Sequence, residues 1–124
     1  MNITHPLRIG YEICNILQAS EVIAEHVQGR IFAYTTKKDV VMPNIVYDGV
    51  SVDFEETKDG AEPSEATLSL NVNSTDYPTG IAIAEEVMYT LSEHEGIVPV
   101  SASCDYDQAA NMFTHNLTIN IQLA

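Results

Sequence analysis

Four histidines (His5, His26, His94, His115), two cysteines (Cys14, Cys104) and eighteen carboxylates are the side chains of this 124-residue sequence best suited to chemistry. Metal coordination needs ligands that share a face. The tightest grouping, Glu93-His94-Glu95, puts neighbours on different sides of a helix and does not match the ligand spacings of known zinc sites. His94 instead falls where a helix is expected to end, a position that favours partial positive charge. Asp105 and Asp107 alternate onto one side of a strand, and a turn behind Tyr106 accounts for them. Nucleophilic catalysis needs a thiol or hydroxyl beside a base, and neither cysteine has that pattern around it in sequence. Both cysteines fall on apolar faces and are expected to be small buried hydrophobes rather than a disulfide, given a reducing compartment. The sequence has no G-x-G-x-x-G, P-loop, G-x-S-x-G or H-E-x-x-H pattern. The expectation is a non-enzymatic chain with no metal and no cofactor.

Charge narrows the range of partners. The formal net charge is −13. Residues 1–58 hold all five basic side chains (Arg8, Arg30, Lys37, Lys38, Lys58) against eight acidic ones, whereas residues 59–124 hold ten acidic side chains and no Lys or Arg. Nucleic-acid affinity rests on Lys and Arg neutralising phosphates, so direct nucleic-acid binding is not expected. An acidic surface of this kind keeps a protein soluble. It is also one that DNA would pass without sticking. No signal peptide and no apolar run long enough to span a bilayer is visible, so no membrane partner is expected. At this length residues 1–124 are expected to form one α+β domain that buries roughly two-thirds of its unfolded-chain surface.

The periodicities predict the elements that position these residues. A helix is expected over about Pro6–Ala19, with Thr4 as N-cap and Ile9, Ile13, Ile16 and Leu17 on one apolar face. Ser20 caps a short helical turn from Glu21 to Gln28, and Gly29 suits the left-handed residue that closes it. Strands are expected at Arg30–Thr35, Ile45–Glu56 (entered through Pro43, which cannot donate a ladder hydrogen bond, with a bulge at Gly49) and Glu65–Asn73. Thr57–Pro63 forms the turn before the third strand. A second main helix opens at Asp76 with Pro78 in its first turn; Ile81, Ala84, Val87, Met88 and Leu91 form its apolar stripe, and Gly96 ends it. Two strands follow, with Val98, Val100, Ala102, Cys104 and Tyr106 on one face of the first. Phe113, Leu117, Ile119, Ile121 and Leu123 share a face of the second, which His115 interrupts and leaves partly buried. The fold class is α+β: a two-layer sandwich of a mostly antiparallel four- to five-stranded sheet with two main helices packed on one face. All connections except the one through the second helix can be antiparallel.

The face of the sheet away from the helices is mostly Thr, Ser and Asn, and it includes Asn116, Thr118 and Asn120. Such side chains tolerate partial burial better than charges do, so this face suits either solvent or a neighbouring subunit. The last strand carries no charge from Asn111 to Ala124, and a bare strand edge invites pairing with another chain.

Taken in order, four features resemble the tail completion, or tail terminator, proteins of long-tailed bacteriophages and prophages. They are the helix Leu7–Leu17, the Val27–Phe32 segment with Gly29-Arg30-Ile31, the strand entry Pro43–Tyr47, and the helix Tyr77–Leu91 followed by a final hairpin. The resemblance implies a structural virion protein of the tail, assembled in the bacterial cytoplasm. It forms a homo-oligomeric ring, typically a hexamer, at the head-proximal end, and its partners are the tail tube protein and a head completion protein. It implies no catalytic residues. The expected contact residues are Lys37, Lys38 and Asp39 in the loop before Val40, Glu55, Glu56 and Asp59 on the hairpin, and Asn116, Thr118 and Asn120 on the polar face. Two alternatives share the same elements. One is a different minor tail or head–tail joining protein. The other is a small ligand-binding or enzymatic domain with Tyr11, Tyr34, Tyr47, His26 and His115 lining a pocket.

Overall fold

A computed structural model describes residues 6–35 and 41–123. A 3-10 turn at Pro6–Arg8 leads into α1 (Ile9–Gln18), then α2 (Glu21–Val27), β1 (Ile31–Ala33), β2 (Asn44–Thr57), β3 (Gly60–Ser74), α3 (Tyr77–Ser92), β4 (Ile97–Asp107) and β5 (Met112–Gln122). The five strands make one sheet in the order β1-β2-β3-β5-β4. The helices cover one face of it. Ile9, Ile13 and Leu17 of α1, Ile23 and Val27 of α2, and Ile83, Val87 and Leu91 of α3 meet Ile45, Leu68, Leu70, Val72, Ile119 and Ile121 in a single core.

Local chemistry accounts for the helix ends. Ser20 Oγ accepts from the Ile23 N–H at 3.3 Å, satisfying one of the donors left unpaired at the start of α2. Asp76 does the same for α3, accepting from the Thr79 N–H at 3.0 Å. At the other end of α2 both Gln28 and Gly29 adopt positive φ. The expected cap Thr4 lies outside the described residues.

The structure departs from the sequence-based expectations in several places. β1 pairs with β2 in parallel, Ile31 opposite Ile45, where the sequence allowed an antiparallel connection; a parallel pair cannot be joined by a tight hairpin. The expected loop Thr57–Pro63 shrinks to a two-residue connection, with Thr57 paired to Gly60. β5 is not an edge: it lies between β3 and β4, so its edges are already occupied and the bare edge belongs to β4. The apolar alternation in β4 is broken by a register shift between Pro99 and Ser101. A bulge adds one residue and reverses the phase. Val98 therefore pairs with Asn120 on the polar side, while Ala102, Cys104 and Tyr106 pair with Leu117, His115 and Phe113 on the helix side. The bulge expected at Gly49 is present, with φ +62° and a register shift between Asp48 and Ser51. In α3 it is Ile83 that enters the core, whereas Ile81 and Met88 sit half-buried on the flank toward β4.

Candidate assembly interface

The residues singled out by sequence fall at three places, and the sheet adds a surface of its own. The first is the β2–β3 hairpin. β5 pairs with β3 only as far as Glu65, so the strands between Asp53 and Ser64 project beyond the rest of the sheet. Glu55, Glu56 and Asp59 are all exposed on this projection. Thr57 closes the tip, donating from Oγ1 to the Gly60 carbonyl at 2.7 Å and accepting from the Asp59 N–H at 3.3 Å.

The second surface is the polar face, which holds Asn116, Thr118 and Asn120. Their side chains are engaged within the sheet. Asn116 Nδ2 donates to Asn71 Oδ1 at 2.6 Å, and Asn71 Nδ2 donates to Asp48 Oδ2 at 3.2 Å. Ser69 and Thr118 share a hydrogen bond of 3.4 Å, and Asn120 Nδ2 reaches Glu65 Oε2 at 3.4 Å. A second ladder runs from Thr114 Oγ1 to Asn73 Oδ1 (2.8 Å) and from Asn73 Nδ2 to Asn44 Oδ1 (2.9 Å). These cross-strand pairs tie β2, β3 and β5 together. Short amides stand where long charged chains would ordinarily be because they satisfy one another.

The third expected site, Lys37, Lys38 and Asp39, lies outside the described residues. The residues framing that segment have a clear structural role. The Arg30 guanidinium donates from Nε to the Pro43 carbonyl at 3.0 Å and from Nη2 to the His26 carbonyl at 3.3 Å. It thus fastens the C-terminal end of α2, where a cation is favoured, to the residue that opens β2. Gly29-Arg30 and Pro43 are parts of one clasp.

The fourth surface was not foreseen from sequence. Every β4 residue from Val98 to Asp107 is exposed, since α3 packs over β3 and β5 and only partly over β4. Between α3 and β4 runs an open groove of about 530 Å³ lined by Tyr77, Ile81, Ala84, Glu85, Met88, Ala102, Ser103, Cys104, His115 and Leu117. Cys104 is therefore exposed rather than buried, and its Sγ lies 3.7 Å from His115 Nε2 across the strand pair. His115 is not partly open as expected but buried, stacked on Tyr77 at 5.6 Å. The pairing of Cys104 with His115 is a register contact between strands whose separation in sequence gave no signal. It is also a poor nucleophilic dyad. Burial pushes His115 below the ordinary histidine range, which disfavours the imidazolium needed to stabilise a thiolate. Cys14, expected to be buried, is half-buried, and burial pushes its thiol up.

The alternative pocket set is only partly brought together. Tyr11, Tyr34 and Tyr47 line a shallow depression of about 300 Å³ with Leu7, Arg8, Gly10 and Val50, but His115 lines the opposite groove and His26 lines neither. Asp107 Oδ1 accepts from the Ala109 and Ala110 N–H groups at 3.0 and 3.2 Å, which is turn chemistry. No group of three or more His, Cys, Asp or Glu side chains converges on a common point among the described residues, and none of the helices described is long and apolar enough to cross a membrane.

Fold and surfaces together define a small two-layer α+β protein with a projecting acidic hairpin, a β4 outer edge without a neighbouring strand among the described residues, and apolar depressions at both ends of its sheet. No protein-family model matches the sequence, and no curated protein does. Among solved structures, the chain shares its fold with a protein in the virion of a native gene transfer agent particle. The TM-score is 0.72 at 16% identity, covering 89% of this chain and 90% of that one.

Proposed function

We propose that this chain is a structural protein of a phage-like particle, and that its place is the head-proximal end of the tail. There a ring of copies, six by the family resemblance, caps the tail tube, stops its polymerisation and presents a surface to a head completion protein. The observation that carries this reading is the fold shared, over nine-tenths of both chains, with a component of a gene transfer agent virion. The sequence resemblance to tail terminators supports the same reading independently. The surfaces suit the role. Termination needs one ring face that matches the last tube ring and another that does not repeat it, and the hairpin bearing Glu55, Glu56 and Asp59 is a projection available for one such contact. The polar face with Asn116, Thr118 and Asn120 is stiffened by its own hydrogen bonds and is the flatter candidate. Lys37, Lys38 and Asp39 remain proposed contacts in the half of the sequence that holds all five basic side chains.

The test is genetic complementation in the phage or prophage that encodes the chain. Deleting its gene should yield tails of irregular, excessive length that fail to join heads, and the intact chain supplied in trans should restore normal length and joining. Normal-length tails that stay separate from heads would favour the alternative role in head–tail joining. Normal, infectious particles would overturn the proposal.

A further inference from the structure

The two ends of the sheet are complementary. At one end the outer side of β4 has no neighbouring strand among the described residues. Above it, on the helix side, lies the groove bounded by Met88 of α3 and Cys104 of β4, with Glu85 also in its lining. At the other end β1 covers β2 only as far as Tyr47; from Asp48 onward no strand among the described residues lies on the outer side of β2, where the Tyr34 hydroxyl accepts from the Val50 N–H at 3.3 Å. Above that edge Leu7 and Tyr11 stand 79% and 67% exposed, with Arg8 beside them in the same depression. Both ends are acidic on balance, and the complementary pair available is Arg8 at this end and Glu85 at the other, since residues 59–124 contain no Lys or Arg.

Strand directions decide how two such ends can meet. β2 is antiparallel to β3, β3 to β5, and β5 to β4, so β2 runs opposite to β4. A second copy set beside β4 in the same orientation therefore offers its β2 edge antiparallel, with both helix layers on the same side. We infer that β4 of one copy pairs with the β2 edge of the next, extending the sheet between subunits. Leu7 and Tyr11 of the neighbour fill the groove beside Met88 and Cys104, and Arg8 faces Glu85. The contact is head-to-tail, the type that generates rings or open arrays, and pairing satisfies the two edges that would otherwise invite uncontrolled association. This interface rests on the proposed ring and gives it a specific contact.

Leu7→Cys tests the geometry because Cys104 supplies its natural partner. Mild oxidation of the full-length variant should give a ladder of disulfide-linked oligomers under denaturing electrophoresis, and Cys104→Ser in the same background should remove it. Tyr11→Glu should raise the concentration for half-assembly, read by native mass spectrometry, at least ~10-fold, or roughly 1.4 kcal/mol. Its melting as a monomer should be unchanged because Tyr11 is exposed. A wild-type ring with no ladder and no effect of Tyr11→Glu would overturn this interface and leave the ring standing. Wild-type chain that stays monomeric at all concentrations would overturn both. A ladder together with normal tails in the gene deletion would uphold the interface and remove the tail-end assignment.

Discussion

Gly10 lies where α1 crosses β2, and a Cβ there would come within 2.9 Å of Tyr47 Cζ and closer still to Cε2. Alanine normally gains about 1 kcal/mol over glycine in a helix, but overpacking a filled core costs about 1–3 kcal/mol, and the ring of Tyr47, which is part of that core, must shift to admit the methyl. Gly10→Ala should therefore destabilise the protein by about 1 kcal/mol net, seen as a lower urea midpoint at constant m-value. His115 gives a pH-dependent counterpart. Its folded-state value is depressed by burial, so the folded protein favours the neutral ring. The stability linked to it is fully present above the unfolded histidine value of about 6.5 and is lost as pH falls through that value toward the folded one. His115→Gln should flatten the fall in melting temperature between about pH 7 and 5, a window set by that same reference value; an unchanged slope would refute the assignment. Asp76 behaves in the same direction, at lower pH. Its hydrogen bonds with Thr79 hold the carboxyl below the usual range, so its contribution is present at neutral pH and fades in acid. Asp76→Ala should lower the melting temperature, and Asp76→Asn should keep most of it, because an amide oxygen still caps.

At the scale of elements, the Arg30 clasp makes a prediction that separates folding from contact. Arg30→Ala leaves the His26 and Pro43 carbonyls without their charged donor. Hydrogen bonds to charged groups contribute about 1.5–3 kcal/mol each, discounted here because the site is only part-buried. A loss of about 1–2 kcal/mol by urea denaturation is expected. Arg30→Lys should recover little of it, since one ammonium cannot reproduce the forked geometry. The hairpin should behave in the reverse way. Glu55 and Glu56 are exposed beyond the body of the sheet, and surface substitutions usually stay within about 0.5 kcal/mol. Glu55→Lys with Glu56→Lys should therefore melt like the parent while failing to complement tail assembly. Full complementation would remove the hairpin from the set of contacts.

The scale of the whole molecule is where charge and shape combine. A subunit of net charge −13 repels its copies at long range, and salt screens that repulsion over a Debye length of about 8 Å at 0.15 M. Ring formation is accordingly expected to strengthen as ionic strength rises from about 0.01 to 0.15 M, in contrast to an interface held together mainly by ion pairs. Native mass spectrometry after buffer exchange across that range, or light scattering, reads the trend directly. Weakening with salt would place ion pairs such as Arg8 with Glu85 ahead of apolar burial in the contact.

The sequence by itself determined the elements and the α+β class, because each element writes its own period: α1 through Ile9, Ile13 and Leu17, β3 through Ala66, Leu68, Leu70 and Val72, and α3 through its cap at Asp76. It also located the bulge at Gly49 and the capping role of Ser20, which are local in the chain. Tertiary structure alone decided the strand order, and with it everything about the edges. Whether β4 or β5 lies outermost depends on which strands find partners far away in sequence, and β5's uncharged run carries no mark of the neighbour on either side. The bulge in β4 reversed an alternation that the sequence repeats without a break. Cys104 and His115 met only because that register brought them opposite each other, and the α3–β4 groove exists because one helix is narrower than the strands beneath it. Gly29, Arg30 and Pro43, legible as a signature, became intelligible as a clasp once the guanidinium could be seen to hold one carbonyl from the end of α2 and one from the entry to β2. Local periodicity specifies elements; long-range pairing specifies surfaces, and the function proposed for this chain depends on its surfaces.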